Sequence, residues 1–436
     1  MLREEAAVIY LDHAATSPMP LEVREAYVEA LQLVGNPSSI HTAGQHARAV
    51  LDDARVRIAA TLGIDAIELT FTGGGTEAVN LAIKGLYWAR NAAPSTDARP
   101  RILVPRTEHH AALDTVEWLE AHEGATLTWL EVDELGRLSL DGLEEALGDG
   151  SDVALVTMLH ANNEVGTLQP VAEAAALAAA VGVPVHVDAI AAYGQVRLDP
   201  LPHGVSAVSI SAHKIGGPVG VGALALRRGS EVVPLLHGGG QQRGRSGTMD
   251  AAGAAAFAIA AERAHAELDD RAANKRMLRE RLAAGIRQTV PTAVLRGAAG
   301  AAAVATELAH SAAASDPARA ASHLARAAEL DALALPGTLH FTVPGAEGDS
   351  LLMLLDARGI AASTGSACQA GVPEPSHVLL AMGLSEADAR GALRITLGPA
   401  TTVDEIDALL VALPEAVERA QAAGLAGQVP RLGRLP

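Results

Sequence analysis

The chain of 436 residues holds a single cysteine, Cys368. No disulfide can close within it, so a disulfide-stapled fold is excluded. It has no Cys-x-x-Cys pair and no His-Glu-x-x-His, and the sequence gives no ground for assigning metal ligands. No uncharged apolar run reaches the roughly 18 residues that a membrane-spanning helix needs. Aromatic residues make up only 2%, so the core must be built from Ala, Val, Leu and Ile, and the abundance of Ala makes helix propensity a weak guide. Basic residues are outnumbered by acidic ones, 33 to 51, for a formal charge of −18. That balance argues against nucleic acid or an anionic membrane as a partner. The opening segment MLREEAAVIYLDHAA carries acids early and only a short apolar run, unlike a secretory leader, and the expected location is the cytoplasm.

What is present is a folded, two-part pattern. A hydrophobic share of 49% excludes a disordered chain, and the length suggests about two or three domains. Short β-branched runs predict strands at 67–72, 101–105, 125–132, 153–158, 183–187, 206–211 and 221–226. Helical runs at 76–90 and 173–181 lie between them, and alternation of this kind means an α/β fold with a mostly parallel sheet. One long helical stretch is expected from about 250 to 288. Residues 298–335 are Ala-rich and read as an inserted helical excursion or partly ordered loop. Beyond them, strands at 337–343 and 394–398 with helical runs at 350–357, 376–382 and 403–423 predict a smaller α+β domain. The division expected is a large domain over 16–272 and a small one from 1–15 and 273–436.

Chemistry concentrates at strand ends. In Phe71-Thr-Gly-Gly-Gly-Thr-Glu77 a strand meets glycines and then a helix, an arrangement whose backbone N–H groups suit a phosphate. An ordinary tight turn would read the same way, and neither a P-loop nor a Gly-x-Gly-x-x-Gly fingerprint is present. Asp188 ends one predicted strand and Lys214 follows the next, which puts both at the carboxyl edge where open α/β sheets bind ligands. Alone, each would be a solvated strand-end residue. Together, downstream of the glycine loop, they suit pyridoxal 5'-phosphate: the amine bonds the aldehyde and the carboxylate holds the pyridine nitrogen. Thr107-Glu-His-His110 and His160-Ala-Asn-Asn-Glu164 follow two further strands, although a lone imidazole or an Asn-rich turn is often a bystander. Cys368 sits among small polar residues, a setting closer to a reactive thiol than to a core one.

These pieces together resemble the cysteine desulfurases, in the class V branch of the pyridoxal-phosphate enzymes of aspartate-aminotransferase-like fold (fold type I). Besides the segments above, the likeness rests on Tyr10-Leu-Asp-His-Ala-Ala-Thr16, Gly35-Asn-Pro-Ser-Ser39, His186-Val-Asp-Ala189, Ser211-Ala-His-Lys214, His237-Gly-Gly-Gly240, Arg245-Ser-Gly-Thr248, Gly365-Ser-Ala-Cys368 and Arg394-Ile-Thr-Leu-Gly398, in family order over nearly the whole chain. The resemblance implies Lys214 as the cofactor-bonding lysine, Asp188 at the pyridine nitrogen and His109 stacked on the ring. It implies Gly75, Thr76, Ser211 and His213 around the phosphate, with Thr248 completing that grip from the partner of a homodimer. Asn163 and Arg394 would bind the substrate carboxylate. Cys368 would take sulfur from L-cysteine as a persulfide, with His109 helping to ionise a thiol, and pass it to an acceptor protein such as an iron–sulfur scaffold or a tRNA-thiolation enzyme. Its Gly-Ser-Ala-Cys setting looks like the long-loop group. Two departures stand out: Ala191 where the family commonly has Gln, and a loop before Thr248 one residue shorter than usual. They keep two alternatives open, another class V reaction (a lyase or aminotransferase) and a weakly active sulfur-delivery scaffold.

Overall fold

The computed structural model describes residues 8–92, 98–365 and 374–427. In chain order the strands are β1 (Ile9–Tyr10), β2 (Leu69–Thr72), β3 (Arg101–Pro105), β4 (Thr126–Leu130), β5 (Val153–Leu159), β6 (Val185–Asp188), β7 (Val205–Ser211), β8 (Gly222–Leu226), β9 (Val294–Arg296), β10 (Thr338–Thr342), β11 (Ile360–Ala361) and β12 (Ala392–Thr396). Seven of them form one sheet in the order β2-β8-β7-β6-β5-β3-β4. It is parallel except for β8, which runs antiparallel to both β2 and β7. The inner strand β5 is apolar but for Thr157, β6 alternates Val with His186 and Asp188, and both are buried throughout, as a sheet covered on two faces requires. One such pocket of polarity is His186 on β6, which bonds Thr157 Oγ1 at 2.8 Å and Ser209 Oγ at 2.9 Å across the neighbouring strands.

A second core surrounds the three-stranded antiparallel sheet β12-β10-β9. It gathers Leu11, residues of the helix Leu268–Thr289 such as Leu278 and Ile286, and the face of the C-terminal helix that carries Leu409 and Leu413. The boundary expected at 272/273 falls inside the helix Leu268–Thr289, whose Leu278, Leu282 and Ile286 belong to the second core. The single helix expected over 250–288 is two, Ala251–Ala266 and Leu268–Thr289, parted at Glu267. Among the described residues, no helix is long and apolar enough to cross a membrane.

Of the two readings of residues 298–335, a helical excursion or a partly ordered loop, the structure shows the helical one. They fold into the helices Gly297–Ala312 and Pro317–Asp331, the second started by Asp316, whose carboxylate accepts from the Arg319 N–H at 3.0 Å. Ala302, Ala305, Ala327 and Leu330 close the seam between the two helices. Small side chains let the helices approach closely, so the composition that looked featureless in sequence is the packing surface. The far end is tied into the fold: Asp331 pairs with the buried Arg279 guanidinium, and Leu335 donates its N–H to the Gly166 carbonyl at 2.8 Å.

Candidate active site

The carboxyl ends of β2, β3, β5, β6 and β7 open onto a cavity of about 460 Å³. Its walls include Gly75, Thr76, His109, Asn163, Asp188, Ser211, His213, Lys214 and Arg394, nine of the positions singled out in sequence. Eight come from loops and strand ends of the large sheet. Arg394 comes from β12 and reaches in from the other core.

One end of the cavity begins at Gly74, which sits at φ 140°, a backbone conformation that a side chain disfavours. That turn starts the helix Gly75–Arg90, and the N–H groups of its first turn have no acceptor within the helix. Room for the turn is made by Gly222 on β8, where a Cβ would lie 2.5 Å from the Gly74 carbonyl carbon. The loop that precedes Thr248 is pinned alongside. Gln242 accepts from the Phe71 N–H at 2.9 Å and donates to the Phe71 carbonyl at 3.1 Å, and Arg245 pairs with Glu77 at 2.9 Å. Thr248 itself is exposed and does not line this cavity.

The cavity floor is charged and buried. Asp188 is buried at the end of β6, and burial pushes its carboxyl up to about 6, against the opposing pull of the Ile190 N–H at 2.9 Å and of Lys214. The Lys214 amine donates to the carbonyls of Ala14 at 2.5 Å and Ala15 at 3.1 Å. Burial, then the nearby Arg394, pull it down to about 8, with Asp188 and Asp12 opposing. His109 starts the helix His110–Glu123 and accepts the Ala111 N–H through Nδ1 at 3.1 Å, which leaves the ring proton on Nε2. Burial and then Lys214 hold the ring neutral, at about 4. Arg394 donates through Nη1 to the Asn163 carbonyl and through Nη2 to Asp12, both at 2.8 Å, while its buried Nε has no partner among the described residues.

The residues present fit pyridoxal phosphate. Ser211 Oγ is buried in the cavity and has no hydrogen-bond partner among the described residues, as a hydroxyl meant for a phosphate oxygen would be. Asp188 is a buried carboxyl whose charge a protonated pyridine nitrogen would stabilise. Ala191 lines the same cavity and offers no polar group.

Two residues that the sequence reading did not single out support the site. Asp12 orients Arg394, and its signal was the motif Tyr10-Leu-Asp-His-Ala-Ala-Thr16. Glu108 is buried beneath the site, accepts the Leu159 N–H at 2.7 Å, and is pushed well up by burial and by Asp188. Cys368 lies outside the described residues. The chain enters that segment from Ser363 and Gly365 on the cavity wall.

A parallel-sheet cavity with a carboxylate and a lysine on successive strand ends, closed by an arginine from a smaller domain, is the fold type I architecture. Residues 9–326 and 315–409 match the pattern of the family described as aminotransferase class-V. An IscS-like cysteine desulfurase of Mycobacterium tuberculosis is 48% identical over 418 residues, 96% of this chain and 98% of that protein. A solved NifS-like protein superposes with a TM-score of 0.79 at 31% identity, covering 94% of this chain and all of the other. SspA, solved in complex with cysteine, superposes at 0.70 with 29% identity over 90% of this chain and 99% of its own. The chain belongs to the class V aminotransferase family, in its cysteine desulfurase branch.

Proposed function

We propose that this enzyme is a pyridoxal-phosphate-dependent L-cysteine desulfurase that leaves L-alanine and carries the sulfur on Cys368 to an acceptor protein. The observation that carries the reading is the meeting of Asp188, Lys214, unpartnered Ser211 and Arg394 around one cavity. Gly75, Thr76, Ser211 and His213 would hold the cofactor phosphate, Asp188 its ring nitrogen, His109 its face and Lys214 its aldehyde. When bound, the cofactor supplies an electron sink for the carbon that loses its proton.

The protein's own groups do the rest. Arg394, with Nη2 fixed by Asp12, presents its remaining donors to the substrate carboxylate, which sets the Cα–H bond over the lysine side of the cavity. An amine near 8 is well matched to taking a proton at neutral pH, so Lys214, freed when the substrate amine takes its place at the aldehyde, would remove the Cα proton. The Cys368 thiolate attacks the substrate sulfur: an S–S bond forms, the substrate C–S bond breaks, and the carbon fragment gains protons to become alanine. His109, neutral with its proton on Nε2, would act first as a ring cover and a hydrogen-bond donor.

Thr248 is exposed and lies away from its own chain's cavity, which suits a contribution to the partner's site in a homodimer. Work in the cytoplasm, and delivery to an iron–sulfur scaffold or a tRNA-thiolation enzyme, belong to the same proposal. Incubation of the cofactor-loaded enzyme with L-cysteine tests it: alanine should accumulate with sulfur transferred to a thiol acceptor. Pyruvate and ammonia as the products would mark a lyase instead.

A further inference from the structure

A second cavity, of about 340 Å³, lies behind Lys214 on the side away from the ring site. Segments of both cores wall it: Pro18–Pro20 and Gly194–Gln195 from one, Lys275 and Pro399–Ala400 from the other. Its charge is one-sided. Arg263, Arg271 and Lys275 line it, against the single carboxylate of Glu267. That carboxylate is already shared by Arg271 at 2.7 Å and Arg263 at 3.1 Å.

Lys275 is therefore left over. Its side chain is 1% exposed, yet among the described residues its ammonium bonds only the neutral Gln195 Oε1 and forms no ion pair. An ammonium has three donors, and a buried one without an opposite charge is costly by several kcal/mol. Among the described residues, no carboxylate meets that cost. Burial and the like charge of Arg271 pull the amine down to about 7, and no carboxylate opposes them. The other titratable ring at the site, His13, has a buried Nδ1 without a partner and is itself held near 4 by burial and by Lys275. The volume is that of a small-molecule site, with room for a compact anion beside the amine.

We propose that this cavity is a binding site for a small oxyanion, a carboxylate or a sulfate-like group, held by the Lys275 ammonium at the junction of the two cores. The anion supplies the missing counter-charge and accepts the donors that Gln195 leaves free. It is separate from the cofactor's phosphate cradle, which is built on Gly75, Thr76 and Ser211.

The test uses the cofactor-loaded enzyme, so that the cradle is filled, with sodium sulfate and sodium acetate titrated by calorimetry at constant ionic strength. One anion per subunit should bind saturably. Affinity should fall about tenfold or more in Lys275→Met and persist in Lys275→Arg. Binding in the wild type at pH 8 should take up a fraction of a proton, read from two buffers of different ionisation heat, and close to none at pH 6. Saturation by acetate alone or by sulfate alone fixes the class of anion and supports the site. No saturable binding of either salt overturns the proposal. So does unchanged affinity in folded Lys275→Met, or wild-type binding without proton uptake at pH 8, which needs no variant to fold.

Discussion

Asp12 and Arg394, 382 residues apart in sequence, meet at 2.8 Å on the wall of the cavity, and the carboxylate fixes one arm of the guanidinium while Nε stays unpartnered. The pair joins the N-terminal segment after β1 to β12, so the arginine proposed to bind the substrate is aimed by a residue from the opposite end of the chain.

Asp12→Ala should leave cofactor content unchanged and raise KM for L-cysteine about tenfold, a loss of about 1.4 kcal/mol. Arg394→Lys should do worse, because a point charge cannot replace the fork. Steady-state kinetics beside the visible spectrum checks both. An unchanged KM in Asp12→Ala would show that Arg394 keeps its aim without it.

The depressed Lys214 amine gives the cofactor-free protein a pH dependence. Only the neutral amine bonds an aldehyde, so the rate of pyridoxal phosphate capture should rise with pH through about 8 and then level off. An ordinary lysine would keep rising toward about 10.4. Stopped-flow absorbance at pH 6.5 to 10 reads the midpoint, and Lys214→Ala should show no covalent capture at any pH.

The Asp331–Arg279 contact makes the Ala-rich helices a structural element. Arg279 is buried and also donates to the Leu335 carbonyl at 2.8 Å. Asp331→Ala leaves that guanidinium without its counter-ion and should cost about 3–5 kcal/mol, seen as a clear fall in thermal midpoint. Replacing 298–335 with a short Gly/Ser linker should yield little soluble protein. A soluble, cofactor-loaded deletion would show that the helices are dispensable.

How far the sequence could be read follows from where the information sits. Asp188, Lys214 and the glycine loop were legible because a strand end is a local pattern, and parallel topology carries every such end to one edge. The break at Glu267 was not legible, since the run from Ala251 to Thr289 contains no proline and only isolated glycines, and the break is set by tertiary packing. The Asp12–Arg394 pair was invisible because nothing local links them. Residues 298–335 were read as either a helical excursion or a partly ordered loop, and composition could not divide the two, because an alanine seam between two helices has the same composition as a featureless spacer.

Ala191 faces the cavity where the desulfurase resemblance leads one to expect Gln. Ala191→Gln would add one hydrogen-bond donor, worth about 0.5–1.5 kcal/mol to a neutral acceptor. That should move the pH midpoint of the holoenzyme's visible absorption and raise turnover several-fold, with cofactor content unchanged. A spectrum and rate that both stay put would mean another donor already serves that position.

In the proposed reaction Cys368 carries the sulfur. After one addition of L-cysteine to the cofactor-loaded wild type without acceptor, peptide mass spectrometry should find one extra sulfur on Cys368, with about one alanine released per modified subunit. Cys368→Ala should bind L-cysteine, as a change in the visible spectrum, and form neither persulfide nor a burst of alanine. Undiminished sulfur transfer by Cys368→Ala, or alanine release from the wild type with Cys368 unmodified, would contradict it.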